Sequence, residues 1–331
     1  MPPLAAIGDS LRALLGAVEA FLSSLAAVSW GPLALALLLH AAYLTLRSRG
    51  WFNALRAAYP AERFRWRNIW AAYVSAVGVN SVVPARPGAI VRLFLTRQTI
   101  PRSSYSAIAS SFLVEIVFDI PVAVAVVAYA VSQGVFPSLP GAPSLPAFDL
   151  GYLTRNPELT LFAITVIGVA LMAAVAVLSV RVRAFWSHVR QGLTVLGDRP
   201  RWLRQVVAWQ AAGWLARLGG FWFMLEAFGI EPSVRNVLLV MAVQGLSTLF
   251  PFTPGGAGAQ QALLAVVFAG VAGGGQLAAY AVGQQVAIAA FSFALGLAAL
   301  AFVFRTTDWR SIVRRGKADR DREGEETPSA V

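Results

Sequence analysis

The sequence contains no cysteine and only two histidines, His40 and His188. Without thiols there are neither disulfides nor thiolate metal ligands, and two imidazoles cannot build a histidine-rich metal cluster. Redox chemistry and zinc catalysis are poor fits, and no cofactor is implied. Charge is scarce as well: 13% of the 331 residues are charged, against about 25% in soluble domains. With 57% hydrophobic residues, the chain reads as an all-α polytopic membrane protein.

Acidic residues are few until the tail, and the formal net charge is +11. Such a balance can mark a nucleic-acid partner, but the arginines gather in loops beside apolar segments, where they set topology instead. No nucleic acid is expected. Residues 305–331 alternate Asp319, Asp321, Glu323, Glu325 and Glu326 with Arg320 and Arg322, a mixed-charge tail that is expected to stay solvated and disordered. The N-terminus lacks a signal-peptide pattern, since Asp9, Arg12 and Glu19 interrupt it. Leu11, Leu14, Leu15, Val18, Phe21, Leu22 and Leu25 follow helical spacing, so within residues 1–29 an amphipathic helix over 8–27 lies on the membrane, or crosses it at a tilt.

Five segments are long and apolar enough to cross a bilayer: 30–46, 104–131, 159–180, 205–228 and 277–304. Two further stretches, 68–96 and 236–272, are apolar but interrupted by Pro and Gly. Arginine-rich loops 47–67 and 181–204 and the tail are expected on the cytoplasmic side, which puts the N-terminus outside and makes a multi-pass protein of the cell membrane. The topology closes only if each interrupted stretch returns to the side it entered from, as a re-entrant hairpin.

Those stretches share a pattern. Residues 78–88 read GVNSVVPARPG and residues 245–255 read GLSTLFPFTPG, with Pro-x-x-Pro-Gly at an offset of 167. Arg67-Asn68 and Arg235-Asn236 open the two stretches with one residue of slippage. With 18 Pro and 28 Gly, one Pro-x-x-Pro-Gly arises by chance about 0.1 times in such a chain, so two in matching contexts indicate a duplicated unit. Each unit, 30–131 and 205–304, is a crossing helix, a broken hairpin and a crossing helix, joined by one linking span. An odd number of crossings separates the hairpins, so the units are inverted. Broken segments in inverted repeats mark a midplane binding site, because they expose backbone donors and acceptors; the alternative is a pair of kinks that only shape packing.

Charges inside an apolar domain are functional candidates. Arg86 lies within the first Pro-x-x-Pro-Gly and Arg92 just beyond it; Glu115 and Asp119 are four apart and share a helical face. The acids can neutralise Arg86 or Arg92, or the arginines can await a phosphate, which a guanidinium fork suits. Gln260, Gln261, Gln284 and Gln285 follow the second break, and Arg217 lies near the middle of 205–228, with function and structural ion-pairing both open. His40 reads as a packed, hydrogen-bonded residue. Most tryptophans, among them Trp30, Trp51, Trp66, Trp70, Trp202 and Trp309, read as interfacial anchors.

At NSVVPARPGAIVRLFL, VEIVFD and PFTPGGAGAQQALL the chain resembles the flippase-like family typified by the transmembrane region of lysylphosphatidylglycerol synthases, over roughly residues 30–304. The resemblance implies a polytopic, internally pseudo-symmetric fold that moves phospholipid or lipid-linked headgroups between leaflets. It carries Asn80, Pro84, Arg86, Gly88 and Arg92 onto the first motif, Glu115 and Asp119 onto the second, and Pro251, Pro254, Gly255, Gly256 and Gly258 onto the third. Ser81 and Thr253 join the candidate headgroup contacts. Ala89 and Gln261 stand where the family usually has acids, which favours an anionic headgroup over a cationic aminoacyl one. The stretch after the last span is too short for the synthases' soluble aminoacyltransferase domain.

The expectation is a lipid flippase or transporter, not an enzyme, that holds an anionic phospholipid or lipid-linked phosphate at the midplane. A partner protein or homo-oligomer is allowed. A membrane enzyme acting on lipid is the first rival, against which stand the missing Asp-Asp-x-x-Asp and His-Glu-x-x-His motifs. A non-transporting lipid-binding scaffold and a soluble-ion transporter are the others.

Overall fold

The computed structural model describes residues 26–83, 87–100, 102–132, 190–247, 259–268 and 271–305. Among these residues there are eight main helices: α1 (Trp30–Ala58), α2 (Trp66–Val82), α3 (Gly88–Thr99), α4 (Tyr105–Ser132), α5 (Ala208–Ala227), α6 (Val234–Ser247), α7 (Ala259–Val267) and α8 (Gly274–Ala299). A capped turn, Arg199–Trp202, and a π-helical segment, Leu203–Val207, lead into α5, and a second π-helical segment, Leu300–Phe304, extends α8. Among the described residues there is no β-strand.

Proline sets three of the helix ends. Pro60, Pro84 and Pro101 each follow the last helical residue by two positions, and a residue before proline is driven from the α region towards extended backbone. Val83 and Ile100 accordingly adopt φ/ψ of −97°/125° and −110°/104°, while Tyr59 leaves the helix at −127°/66°. The first Pro-x-x-Pro-Gly is where α2 stops and α3, capped by Pro87, begins.

Small residues decide which helices touch. α1 and α5 run antiparallel: Ser29 N donates to Ala227 O at 2.8 Å, Gly220 lies against Ala36 and His40, Gly213 against Tyr43 and Arg47, and Gly50 against Val206, Trp209 and Gln210. α2 and α8 are likewise antiparallel. Ser75 Oγ donates to Gly296 O at 3.2 Å and Ser81 Oγ to Ala289 O at 3.2 Å, and the Gly78 and Gly296 Cα atoms bring the backbones together. Such contacts are the usual way helices associate in lipid, where apolar side chains gain nothing by leaving the solvent. One core, around Trp51, Leu55, Ile69 and Ile108, fills the first half; a second, around Leu225, Leu239, Phe268 and Tyr280, fills the other.

The surface is inverted relative to a soluble protein. On α4 the acids Glu115 and Asp119 turn inward to arginines, whereas Ile120 and Val124 are 57% and 61% exposed. Tyr105–Ala130 and Gly274–Phe304 are long and apolar enough to cross a membrane, with mean hydropathies of 2.2 and 2.5. Both correspond to expected crossings.

One boundary is corrected. The first crossing does not end at residue 46 in an arginine-rich loop: α1 continues to Ala58, a length of about 43 Å. Arg47, Arg49 and Arg56 are helical, and Arg47 is buried. The signal was periodic, since His40, Leu44, Arg47 and Trp51 continue one helical face past residue 46. Trp51 is corrected with it: it is fully buried rather than interfacial, whereas Trp30 is 77% exposed. The expected surface helix at 8–27, the linking span 159–180 and the charged tail lie outside the described residues, apart from their adjoining ends.

A buried ion-pair cluster as the candidate functional site

Arg47 of α1 donates from Nη1 and Nη2 to the two carboxylate oxygens of Asp119 at 2.5 and 2.7 Å, and its Nε faces Tyr73 Oη at 3.5 Å. Trp214 Nε1 on α5 donates to the same carboxylate at 3.2 Å. Arg92 of α3 forms the second fork, to Glu115 at 3.1 and 2.9 Å. Arg47 Nη2 lies 3.9 Å from Glu115, so the two pairs form one cluster across α1, α3 and α4. The Arg47, Arg92 and Glu115 side chains are only 7%, 13% and 9% exposed.

The apolar contribution is an aromatic box. Arg92 Cζ lies 3.6 Å from the centroid of the Trp51 ring, 4.2 Å from Phe112 and 4.5 Å from Tyr73. Trp51 Nε1 donates to Ser111 Oγ at 2.9 Å, which holds the indole in place. A guanidinium over aromatic faces is stabilised by about 0.5–2 kcal/mol per favourable ring. Arg92 therefore sits in a box whose fourth wall is a carboxylate, and its Nε has no hydrogen-bond partner.

Arg217 of α5 differs in kind. It donates to Gln244 Oε1 at 2.5 Å and lies 5.1–5.7 Å from the Trp214, Tyr43 and Phe221 ring centroids. Among the described residues no carboxylate pairs with it. Nearby, His40 Nε2 and Ser292 Oγ share a hydrogen bond at 3.0 Å, as the packed reading of His40 expected.

Glu115 meets Arg92 as the sequence suggested, but Asp119 does not: its partner is Arg47. Asn80 ties the start of α3 to α2, its Oδ1 accepting from Gly88 N at 2.7 Å. Ser81 Oγ is bonded to Gly78 O and Ala289 O, so it staples α2 to α8. Gln260 is buried with its Nε2 unpaired, and Gln261 donates to Gln285 across α7 and α8. Pro84, Arg86, Pro251, Thr253, Pro254, Gly255, Gly256 and Gly258 lie outside the described residues. Arg47, Trp51, Tyr73, Phe112, Trp214 and Gln244 belong to the cluster and its surroundings without having been singled out as ligands.

Helices that turn charge inward and bare aliphatic side chains outward, around forked arginine–carboxylate pairs, define an all-helical membrane protein with a polar interior. The family described as the lysylphosphatidylglycerol synthase TM region matches residues 6–296, and the chain belongs to it. The family associates the protein with lipid handling in a membrane. Among curated proteins none matches the chain.

Proposed function

We propose that the protein is a lipid flippase or transporter that binds an anionic phospholipid or lipid-linked phosphate headgroup at the membrane midplane and moves it between leaflets. The observation that carries this reading is the buried cluster: two guanidinium forks held by Glu115 and Asp119, with a third arginine nearby that has no carboxylate among the described residues. Phosphate and carboxylate offer a guanidinium the same bidentate geometry. A headgroup can therefore replace Glu115 on Arg92 in the same two-bond geometry, and the acids serve as counter-charges that exchange partners. Arg86, on the adjoining break, is the second phosphate ligand in this reading.

The inverted repeat and re-entrant hairpins belong to the same proposal. Support comes from the helix contacts. Gly213 packs against the turn Tyr43–Arg47, whose midpoint Thr45 lies 168 residues earlier, the offset of Arg67-Asn68 from Arg235-Asn236. The contact of Gly220 with Ala36 has its counterpart near Asn53, whose Nδ2 donates to Gln205 O at 2.7 Å. Exchange of the two units thus maps the α1–α5 contact onto itself with the helices antiparallel, as an in-plane pseudo-twofold axis requires. The pairing of α2 with α8 and of α4 with α6 obeys the same exchange.

A headgroup-exchange assay in proteoliposomes containing fluorescent phosphatidylglycerol tests the function. Movement is expected to fall at least tenfold in the Arg86→Ala and Arg92→Ala variants. Unchanged movement in both rejects the site.

A further inference from the structure

The three described arginines of the interior are not equivalent. Arg47 and Arg92 each hold a carboxylate through two hydrogen bonds. Arg217 holds only the neutral amide oxygen of Gln244 and aromatic faces. An anion that approaches Arg47 or Arg92 must displace a carboxylate that would remain buried. One that approaches Arg217 displaces nothing charged.

The position of Arg217 is also specific. Gly213, Arg217 and Gly220 recur at helical spacing on the face of α5 that packs on α1, between the Arg47–Tyr43 turn and the His40–Ala36 turn. Gln244 is in the last turn of α6, which leads into the second hairpin's break. His40, within electrostatic reach of Arg217, is bonded to Ser292 of α8. The same helix is bonded one turn away, at Ala289, to Ser81 in the last turn before the first break. Arg217 thus lies where elements leading to both breaks converge.

We propose that Arg217 is the first protein ligand of the headgroup, with Gln244 beside it, and that the group it takes is a lipid phosphodiester. This rests on the lipid-transport reading and names its entry contact. A phosphodiester carries one negative charge, which matches the guanidinium of Arg217, neutralised by no carboxylate among the described residues. Gln244 supplies the reason the site stays open. Its Oε1 orients the guanidinium without cancelling its charge, and its Nε2 remains a donor for a phosphate oxygen.

The test uses the full chain in detergent micelles, titrated with dioctanoyl phosphatidylglycerol in a calorimeter. Arg217→Gln is expected to weaken binding at least 30-fold. Gln244→Glu is the decisive variant, because it keeps the side-chain shape and strengthens the contact to Arg217, so the fold is retained while the charge is cancelled; binding is again expected to fall at least 30-fold. Wild-type affinity in a folded Gln244→Glu variant would overturn the proposal and leave the lipid reading standing. No binding by the unaltered protein would overturn both. Soluble glycerophosphoglycerol, the same phosphodiester without acyl chains, is expected to bind at least 100-fold more weakly than the lipid. Equal affinity would assign the site to a free anion.

Discussion

Removal of the Glu115 carboxylate tests whether the cluster is a coupled unit. The Arg92–Glu115 fork has two bonds at 2.9 and 3.1 Å between side chains 13% and 9% exposed. Breaking a buried pair of this kind from one side costs about 3–5 kcal/mol, because the surviving charge stays buried without its partner. Two features reduce that figure for Glu115→Gln. The amide oxygen still accepts one hydrogen bond, and the Trp51, Phe112 and Tyr73 rings still receive the guanidinium. About 2–3 kcal/mol is expected for Glu115→Gln and about 3–5 kcal/mol for Arg92→Met. The double variant replaces the pair by neutral groups of similar volume and is expected to lose only about 1–2 kcal/mol. The coupling energy is then about 3–7 kcal/mol, read from reversible unfolding of the four proteins in mixed micelles. A double variant whose loss equals the sum of the single losses, within about 0.5 kcal/mol, would show that the two side chains do not depend on each other and would refute the cluster.

Two smaller perturbations probe the frame around the site. At Gly78 an added Cβ would lie 2.7 Å from Ser292 O, so Gly78→Ala must separate α2 from α8 and is expected to cost about 1–3 kcal/mol in the same assay; Gly31→Ala, with nothing within 4 Å, is expected to stay within about 0.5 kcal/mol of wild type. At Gly88 the added Cβ would meet Ala76 O at 2.2 Å, so Gly88→Ala should push α3 away from α2 and raise amide exchange in α3, and an unchanged exchange pattern would contradict the closeness of α2 and α3.

The class of protein and its break points were legible because they rest on local chemistry. Proline restricts the residue before it whatever surrounds it, so the break at Pro84 was legible in the sequence, and Pro60 and Pro101 follow helix ends in the structure in the same way. Glu115 and Asp119 were legible as an inward face because four residues make one helical turn and lipid does not solvate carboxylates. Arg47, the described partner of Asp119, was missed for a reason equally physical. Arg47 is 72 residues away in sequence, and an arginine at the end of an apolar run has the same local signature whether it ends a span or lies within a longer helix.

The sequence by itself determined a helical membrane protein, broken at proline and carrying charges that lipid would not accept, because composition, periodicity and proline stereochemistry act over a few residues. Only the tertiary structure decided which charges neutralise which. The antiparallel contact of α1 with α5, made close by Gly213 and Gly220, aligns Arg47 with Trp214 and leaves Arg217 facing Tyr43 and Gln244. The difference between a closed pair and an open cation is made by helices distant in the chain, and no spacing rule within one helix encodes it.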